Sequence, residues 1–134
     1  MLRLLDTDTC IHLLRESSLG AAERLKRVPA GEIGTTSITA AELRYGALKS
    51  ARSRENMAAV EVFLSPLRRV DFNDDAATRF ARLKHDLTRS GQVIGIMDML
   101  IASIALAAQA TLITGNTREF SRVPGLRVED WVRG

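Results

Sequence analysis

The sequence has little of what marks secreted or membrane proteins. Its one cysteine, Cys10, cannot form an internal disulfide and reads as a small core residue in a reducing compartment. No stretch reaches the roughly 18 uncharged residues that span a membrane, because the most apolar segment, 94–113, carries Asp98. The N-terminal residues lack a signal-peptide cleavage pattern. We therefore expect a cytoplasmic protein without a membrane segment.

Aromatic residues are also scarce, and charge is better represented. Phe, Trp and Tyr make up 4% of the chain, which argues against base stacking as a way to bind single strands. With 134 residues, 46% of them hydrophobic, the chain can bury one core, so we expect a single domain over residues 1–134. The net charge of +3 favours an anionic partner. The basic clusters at 24–27, 44–54 and 79–89 also fit solvated helix faces.

Apolar spacing predicts strands that alternate with helices. The predicted strands cover 2–5, 33–38, 70–72, 111–114 and 126–132, and the predicted helices cover 10–15, 21–28, 39–51, 55–64, 75–89 and 99–109. Such alternation implies right-handed crossovers and an α/β fold, with a mostly parallel central sheet flanked by helices on both faces. No internal repeat or low-complexity tract interrupts the pattern.

Acidic residues stand at several strand-to-helix junctions. Asp6 ends the first strand, Glu42 lies in the first turn of the helix after the second, Asp98 opens the helix before the 111–114 strand, and Asn116 follows that strand. In a parallel sheet, these positions converge beyond the carboxyl ends of the strands. Carboxylates without a histidine cluster suit Mg²⁺ or Mn²⁺, which would promote attack of water on a phosphodiester.

Helix capping offers an ordinary explanation for most of these residues. Asp8 fits the N-cap of the first helix, Asp98 fits the N-cap of its own helix, and Thr39 with Glu42 fits a capping box. Capping does not account for Asp6, which follows Leu4 and Leu5 at a place where an unpaired carboxylate is costly. The acids therefore support either a metal site or a set of caps.

Four segments in order resemble one family. They are LLDTDTCIHLL (4–14), TSITAAELRYG (36–46), IMDMLIA (96–102) and LITGNTREF (112–120), followed by RVPGL (122–126). Together they resemble the VapC-type toxins, which are PIN-domain ribonucleases of bacterial type II toxin-antitoxin pairs. The resemblance implies a PIN-like fold, with Asp6, Glu42 and Asp98 as metal-binding acids and Asn116 at a fourth catalytic position.

The resemblance also implies partners and supporting residues. It implies a magnesium- or manganese-dependent endoribonuclease that cleaves structured RNA such as tRNA and thereby inhibits translation. It further implies a VapB-type antitoxin, a homodimer and a toxin-antitoxin hetero-oligomer. The chain departs from the family's pattern at Asn116, which is neutral, and at Asp8, where asparagine is frequent. We therefore assign supporting roles to Asp8, Thr114 and Glu119.

Two other functions remain open on the sequence. A haloacid-dehalogenase-like phosphatase would use Asp6 as its nucleophile and Asp8 as the acid two residues later, but it leaves Glu42 and Asp98 without a role. A non-catalytic domain that binds nucleic acid or protein would use the acids only as helix caps. Metal binding separates the second alternative from the nuclease, and the preferred substrate separates the first.

Overall fold

The computed structural model describes residues 1–133 and contains five strands joined by helices. The elements, in chain order, are β1 (Arg3–Leu5), α1 (Thr7–Leu14), α2 (Leu19–Arg27), a 3-10 helix (Ala30–Glu32), β2 (Ile33–Thr36), α3 (Ser37–Leu48), α4 (Ser53–Leu64), β3 (Arg68–Val70), α5 (Asp74–Ser90), α6 (Ile96–Ala107), β4 (Thr111–Ile113), α7 (Thr117–Phe120) and β5 (Arg127–Glu129). Within these residues no helix is both long and apolar enough to cross a membrane.

All five strands belong to one parallel sheet with the order β3-β2-β1-β4-β5, which confirms the predicted α/β architecture. Strand β1 lies at the centre, where Leu5 pairs with Thr35 on one side and with Ile113 on the other. The chain first adds strands on the β2 side and then crosses to the β4 side. The strand order therefore reverses between β1 and β4, where an open α/β sheet places its ligand site.

Hydrophobic cores cover both faces of this sheet. Leu4 and Leu112 point to one face, where they pack with α5, α6 and α7. Leu5 and Ile113 point to the other face, against α1, α2, α3 and α4. The alternation of neighbouring residues between two cores follows from the period of two in a strand. Trp131 is buried in the second core.

Several element boundaries differ from the predictions, and polar side chains end two of the strands, β2 and β5, early. Thr36 Oγ1 accepts a hydrogen bond from the Thr39 backbone N–H at 3.0 Å, so α3 begins at Ser37 and β2 stops two residues before the predicted limit. Helix α6 begins at Ile96, three residues earlier than predicted. Strand β5 covers only Arg127–Glu129, since the chain turns at Asp130.

The edge strand β3 also lies two residues earlier than predicted, at Arg68–Val70 instead of 70–72. Gly34 of β2 pairs with Arg68 and approaches it closely: a Cβ at position 34 would stand 2.5 Å from the Arg68 carbonyl oxygen. The absence of a side chain at Gly34 therefore permits this register. The short helix α7 and the 3-10 helix carry no long apolar period, and the sequence did not predict them.

Candidate active site

The carboxyl ends of β1, β2 and β4 bring the sequence-predicted residues to one edge of the sheet. Asp6, Asp8, Glu42, Asp98 and Asn116 all line one cleft of about 560 Å³. Four further residues line it that were not expected there from the sequence: Thr7, Ile11, Gly115 and Arg133. The acids that sequence spacing predicted to converge therefore do share a cavity.

Asp6 is buried, with 5% of its surface exposed, and it caps α1. Its Oδ1 accepts a hydrogen bond from the Thr9 backbone N–H at 2.8 Å, while its own N–H donates to the Ile113 carbonyl oxygen. Burial raises the pKa of the Asp6 carboxyl above its ordinary value, although hydrogen bonds with Thr114 and Thr9 oppose the shift. Asp6 itself is the N-cap, so the expectation that capping does not account for it was wrong, as was the assignment of that cap to Asp8.

Asp98 lies in the first turn of α6, where Gly95 is the N-cap residue. Its interpretation as the cap was therefore wrong. Burial raises the pKa of the Asp98 carboxyl to about 6, and repulsion from Glu119, Asp6 and Glu42 adds to the effect. Three carboxyl groups from distant parts of the chain are thus close enough to Asp98 to raise its pKa.

Glu42 lies in the second turn of α3, one turn later than expected. The proposed capping box is absent, because Thr36 caps this helix. Thr7 holds Glu42 instead: its Oγ1 donates to Glu42 Oε1 at 2.5 Å and lies 3.1 Å from Thr39 Oγ1. The sequence analysis missed Thr7, although its place directly after the cap of α1 points its side chain to the same edge.

The loop after β4 carries the supporting residues. Thr114 is fully buried, and its Oγ1 accepts a hydrogen bond from the Asn116 backbone N–H at 2.9 Å. The Asn116 side-chain amide donates to Glu119 Oε2, and Glu119 in turn raises the pKa of Asp98. Asp8 is exposed at the rim. This arrangement brings Glu119 toward the acids and gives Asn116 an orienting role.

The donor set is compatible with a hard divalent cation. It offers carboxylate, hydroxyl and amide oxygens, and within residues 1–133 no Lys, Arg or His forms an ion pair with Asp6, Glu42, Asp98 or Glu119. The side chains are not already in a coordinating arrangement, since no three acidic, histidine or cysteine residues of the described chain are spaced to hold a metal ion. These carboxylates lack a cationic partner within the part of the chain that the structure describes, and the pKa is raised at Asp6 and Asp98, so the cluster favours a cation that draws the acids together.

A second cleft, of about 650 Å³, opens at the other end of the sheet. Its charged lining residues are Arg79, Arg82, Arg127 and a single acid, Asp86. It has no cluster of carboxylates and lacks the convergence of strand ends. The acid cleft is therefore the better candidate for chemistry on phosphodiesters.

Comparison with known proteins identifies the family. The PIN domain family matches residues 3–126. The chain is 36% identical to Ribonuclease VapC2 of Rickettsia felis over 132 residues, which cover 98% of each protein. It is 38% identical to the tRNA(fMet)-specific endonuclease VapC of Shigella flexneri over 128 residues, which cover 96% of each protein.

A solved structure gives the same result. The crystal structure of DNA-bound VapBC from Salmonella typhimurium contains a chain with 38% sequence identity and a TM-score of 0.92, and the match covers 98% of this chain and 99% of that one. The likeness in sequence and in fold extends over nearly the whole length. The chain therefore belongs to the PIN-domain family and, within it, to the VapC-type ribonucleases.

Proposed function

We propose that this protein is the toxin of a type II toxin-antitoxin pair and acts in the cytoplasm as a magnesium- or manganese-dependent endoribonuclease on structured RNA, with tRNA as the substrate class. The observation that carries the proposal is the convergence of Asp6, Glu42 and Asp98 at the switch point of the sheet. The Shigella flexneri relative, named for its action on tRNA(fMet), supports the substrate class. The family match disagrees with the phosphatase interpretation of Asp6.

The side chains divide the work by position. Asp6, Glu42 and Asp98 would hold the cation, which supplies charge neutralisation at the phosphate and a more reactive attacking water. Thr9 and Thr114 orient the Asp6 carboxylate, and Thr7 orients Glu42. Asp6 and Asp98 stand at the beginnings of α1 and α6, where the positive end of the helix dipole attracts a negative charge and opposes part of the effect of burial.

The experiment that tests this function is cleavage of a defined RNA. The purified protein, free of any partner, is incubated with a bacterial initiator tRNA transcribed in vitro, and the fragment ends are mapped. We expect cleavage at one or a few positions with Mg²⁺ or Mn²⁺ and none with EDTA. Hydrolysis of p-nitrophenyl phosphate in place of RNA would favour the phosphatase, and RNA binding without cleavage at any metal concentration would favour a non-catalytic domain.

We further propose a VapB-type antitoxin as partner, with the toxin as a homodimer within the hetero-oligomer. The surface that we assign to this partner is a groove of about 270 Å³ between α1, α3 and α4. Ile11, Leu14 and Leu43 line the groove beside Gly46. Solved structures with a similar fold are named as VapBC complexes, in which such a partner is present. A basic side chain of the antitoxin directed toward the acid cleft would compete with the cation.

Filling the groove should block this partner. A Cβ at position 46 would have no other atom within 4 Å. The substitution Gly46→Gln therefore adds bulk to the groove without a clash and improves the helix propensity. We expect the variant to fold at least as stably as the parent and to bind the neighbour-encoded antitoxin about tenfold or more weakly. Isothermal titration calorimetry measures the affinity. The matched control is Ala58→Gln, an exposed position of α4 that does not line the groove; equal affinities of the two variants would contradict this surface.

A further inference from the structure

Arg133 is the single cationic residue among those that line the acid cleft within residues 1–133. Its Nη1 donates to the Gly115 carbonyl oxygen at 2.8 Å and lies 3.8 Å from Asp130 Oδ2. The side chain is nevertheless 74% exposed. An exposed guanidinium therefore stands at a fixed place beside a cluster of acids.

The backbone before Arg133 is anchored firmly. Trp131 is buried in the core with 3% of its surface exposed. Asp130 Oδ1 accepts hydrogen bonds from the backbone N–H groups of Val132 and Arg133, both at 2.9 Å. These contacts hold the segment against the loop that follows β4. A side chain that is positioned in advance loses less conformational freedom when it binds a ligand.

The guanidinium stands at the edge of the acid cluster, not at its centre. A Cβ at Gly115 would lie 3.5 Å from Arg133 Nη1 and 3.2 Å from Asp8 Oδ2, so the arginine faces the rim. It forms no ion pair with Asp6, Glu42, Asp98 or Glu119 within the described chain. Of its five N–H donors, the bond to Gly115 uses one. The same Nη1 also forms the ion pair with Asp130, so Nε and Nη2 remain for a ligand.

A phosphate is the ligand that fits these donors. An RNA strand that enters the cleft meets several carboxylates, which repel its backbone. A guanidinium beside them offsets that repulsion and can make two parallel hydrogen bonds to phosphate oxygens. We propose that Arg133 binds a backbone phosphate of the RNA at the rim of the acid cleft, next to the phosphodiester that is cleaved. This inference rests on the proposed function and adds a substrate-positioning residue to it.

Binding of RNA without cleavage tests the inference. The background is the full chain with Asp98→Asn, the probe is fluorescently labelled initiator tRNA, and Kd is measured in EDTA between about 50 and 300 mM KCl. We expect Arg133→Gln to raise Kd about tenfold at low salt. It should also reduce the slope of log Kd against log salt by about 0.7 to 0.9, the loss of one phosphate contact. Arg133→Lys keeps the charge and should retain the slope with an intermediate Kd.

The matched control is Arg127→Gln, which removes the same charge at the opposite end of the sheet. Arg127 is also exposed and also donates one hydrogen bond to a backbone carbonyl, that of Gln109, at 3.0 Å. Equal Kd values and slopes for the Arg133 and Arg127 variants would overturn the inference. If the parent with Asp98 cleaves the tRNA, such a result leaves the nuclease function intact. If the parent neither binds nor cleaves the tRNA, the proposed function fails, and the role of Arg133 fails with it.

Discussion

Replacement of Asp98 by asparagine should lower the rate of RNA cleavage about 1000-fold or more. A divalent cation contributes several kcal/mol to stabilisation of the transition state, and each ~1.4 kcal/mol is a factor of ten in rate. Asparagine has nearly the same volume but binds a hard cation poorly. Cleavage of the initiator tRNA under limiting Mn²⁺ is the measurement.

The same variant should be at least as stable as the parent when no metal is present. Asp98→Asn removes a half-buried carboxyl that is repelled by Glu119, Asp6 and Glu42, so the free energy of unfolding at neutral pH should stay equal or rise. Denaturant unfolding separates a lost ligand from a lost fold. The control Asp86→Asn makes the same chemical change at an exposed position of α5 and should leave cleavage unchanged. Wild-type activity of Asp98→Asn would remove this residue from the site.

Metal affinity should fall at least tenfold when the pH is lowered from 7 to 5. The pKa of Asp98 is about 6 in the metal-free protein, so only about a tenth of this carboxyl is ionised at pH 5. The raised pKa of Asp6 acts in the same direction. Titration with Mn²⁺, followed by the shift in Tm, measures the effect. An affinity that is constant between pH 5 and 7 would contradict the assignment of these acids as ligands.

The stability of the metal-free protein should depend on pH in the opposite direction to the metal affinity. The folded pKa of Asp98 lies above the unfolded value of 3.8, so the folded state binds more protons between pH 3.8 and about 6. The contribution of this group to the free energy of unfolding therefore declines as the pH rises through that window. In Asp98→Asn this contribution is absent. Comparison of the two proteins by urea unfolding at pH 4.5 and 7 isolates the effect.

Local sequence was a good guide to the acids at strand ends. Asp6 was found because an apolar run stops at it, and Asp98 because it opens the helix before the 111–114 strand; a parallel sheet gathers such positions at one edge. The N-caps of α1 and α3 were misassigned because several polar side chains compete for each of them: Thr7, Asp8 and Thr9 follow Asp6, and Thr35 and Ser37 flank Thr36. Backbone angles decide which of two neighbouring side-chain oxygens accepts a hydrogen bond from a helix N–H. A pattern of polar residues does not specify those angles.

The residues that sequence reasoning missed make contacts across long separations. Thr7 reaches Glu42 over 35 positions, and Arg133 reaches the Gly115 carbonyl over 18. A threonine in the first turn of a helix and an arginine near a chain end have no periodicity that points to a partner. Their roles depend on the order of strands in the sheet. That order became available only with the structure.

The central place of β1 also bears on how the protein is made in the cell. Thr9 and the Ile113 carbonyl, which fix the beginning of α1 against β4, are separated by 104 positions. Strand β1 is synthesised well before its neighbour β4 and the loop with Asn116. In the growing chain, the acids are therefore not yet together in one cleft. The protein can therefore act as a nuclease only after β4 and the loop that follows it have been synthesised.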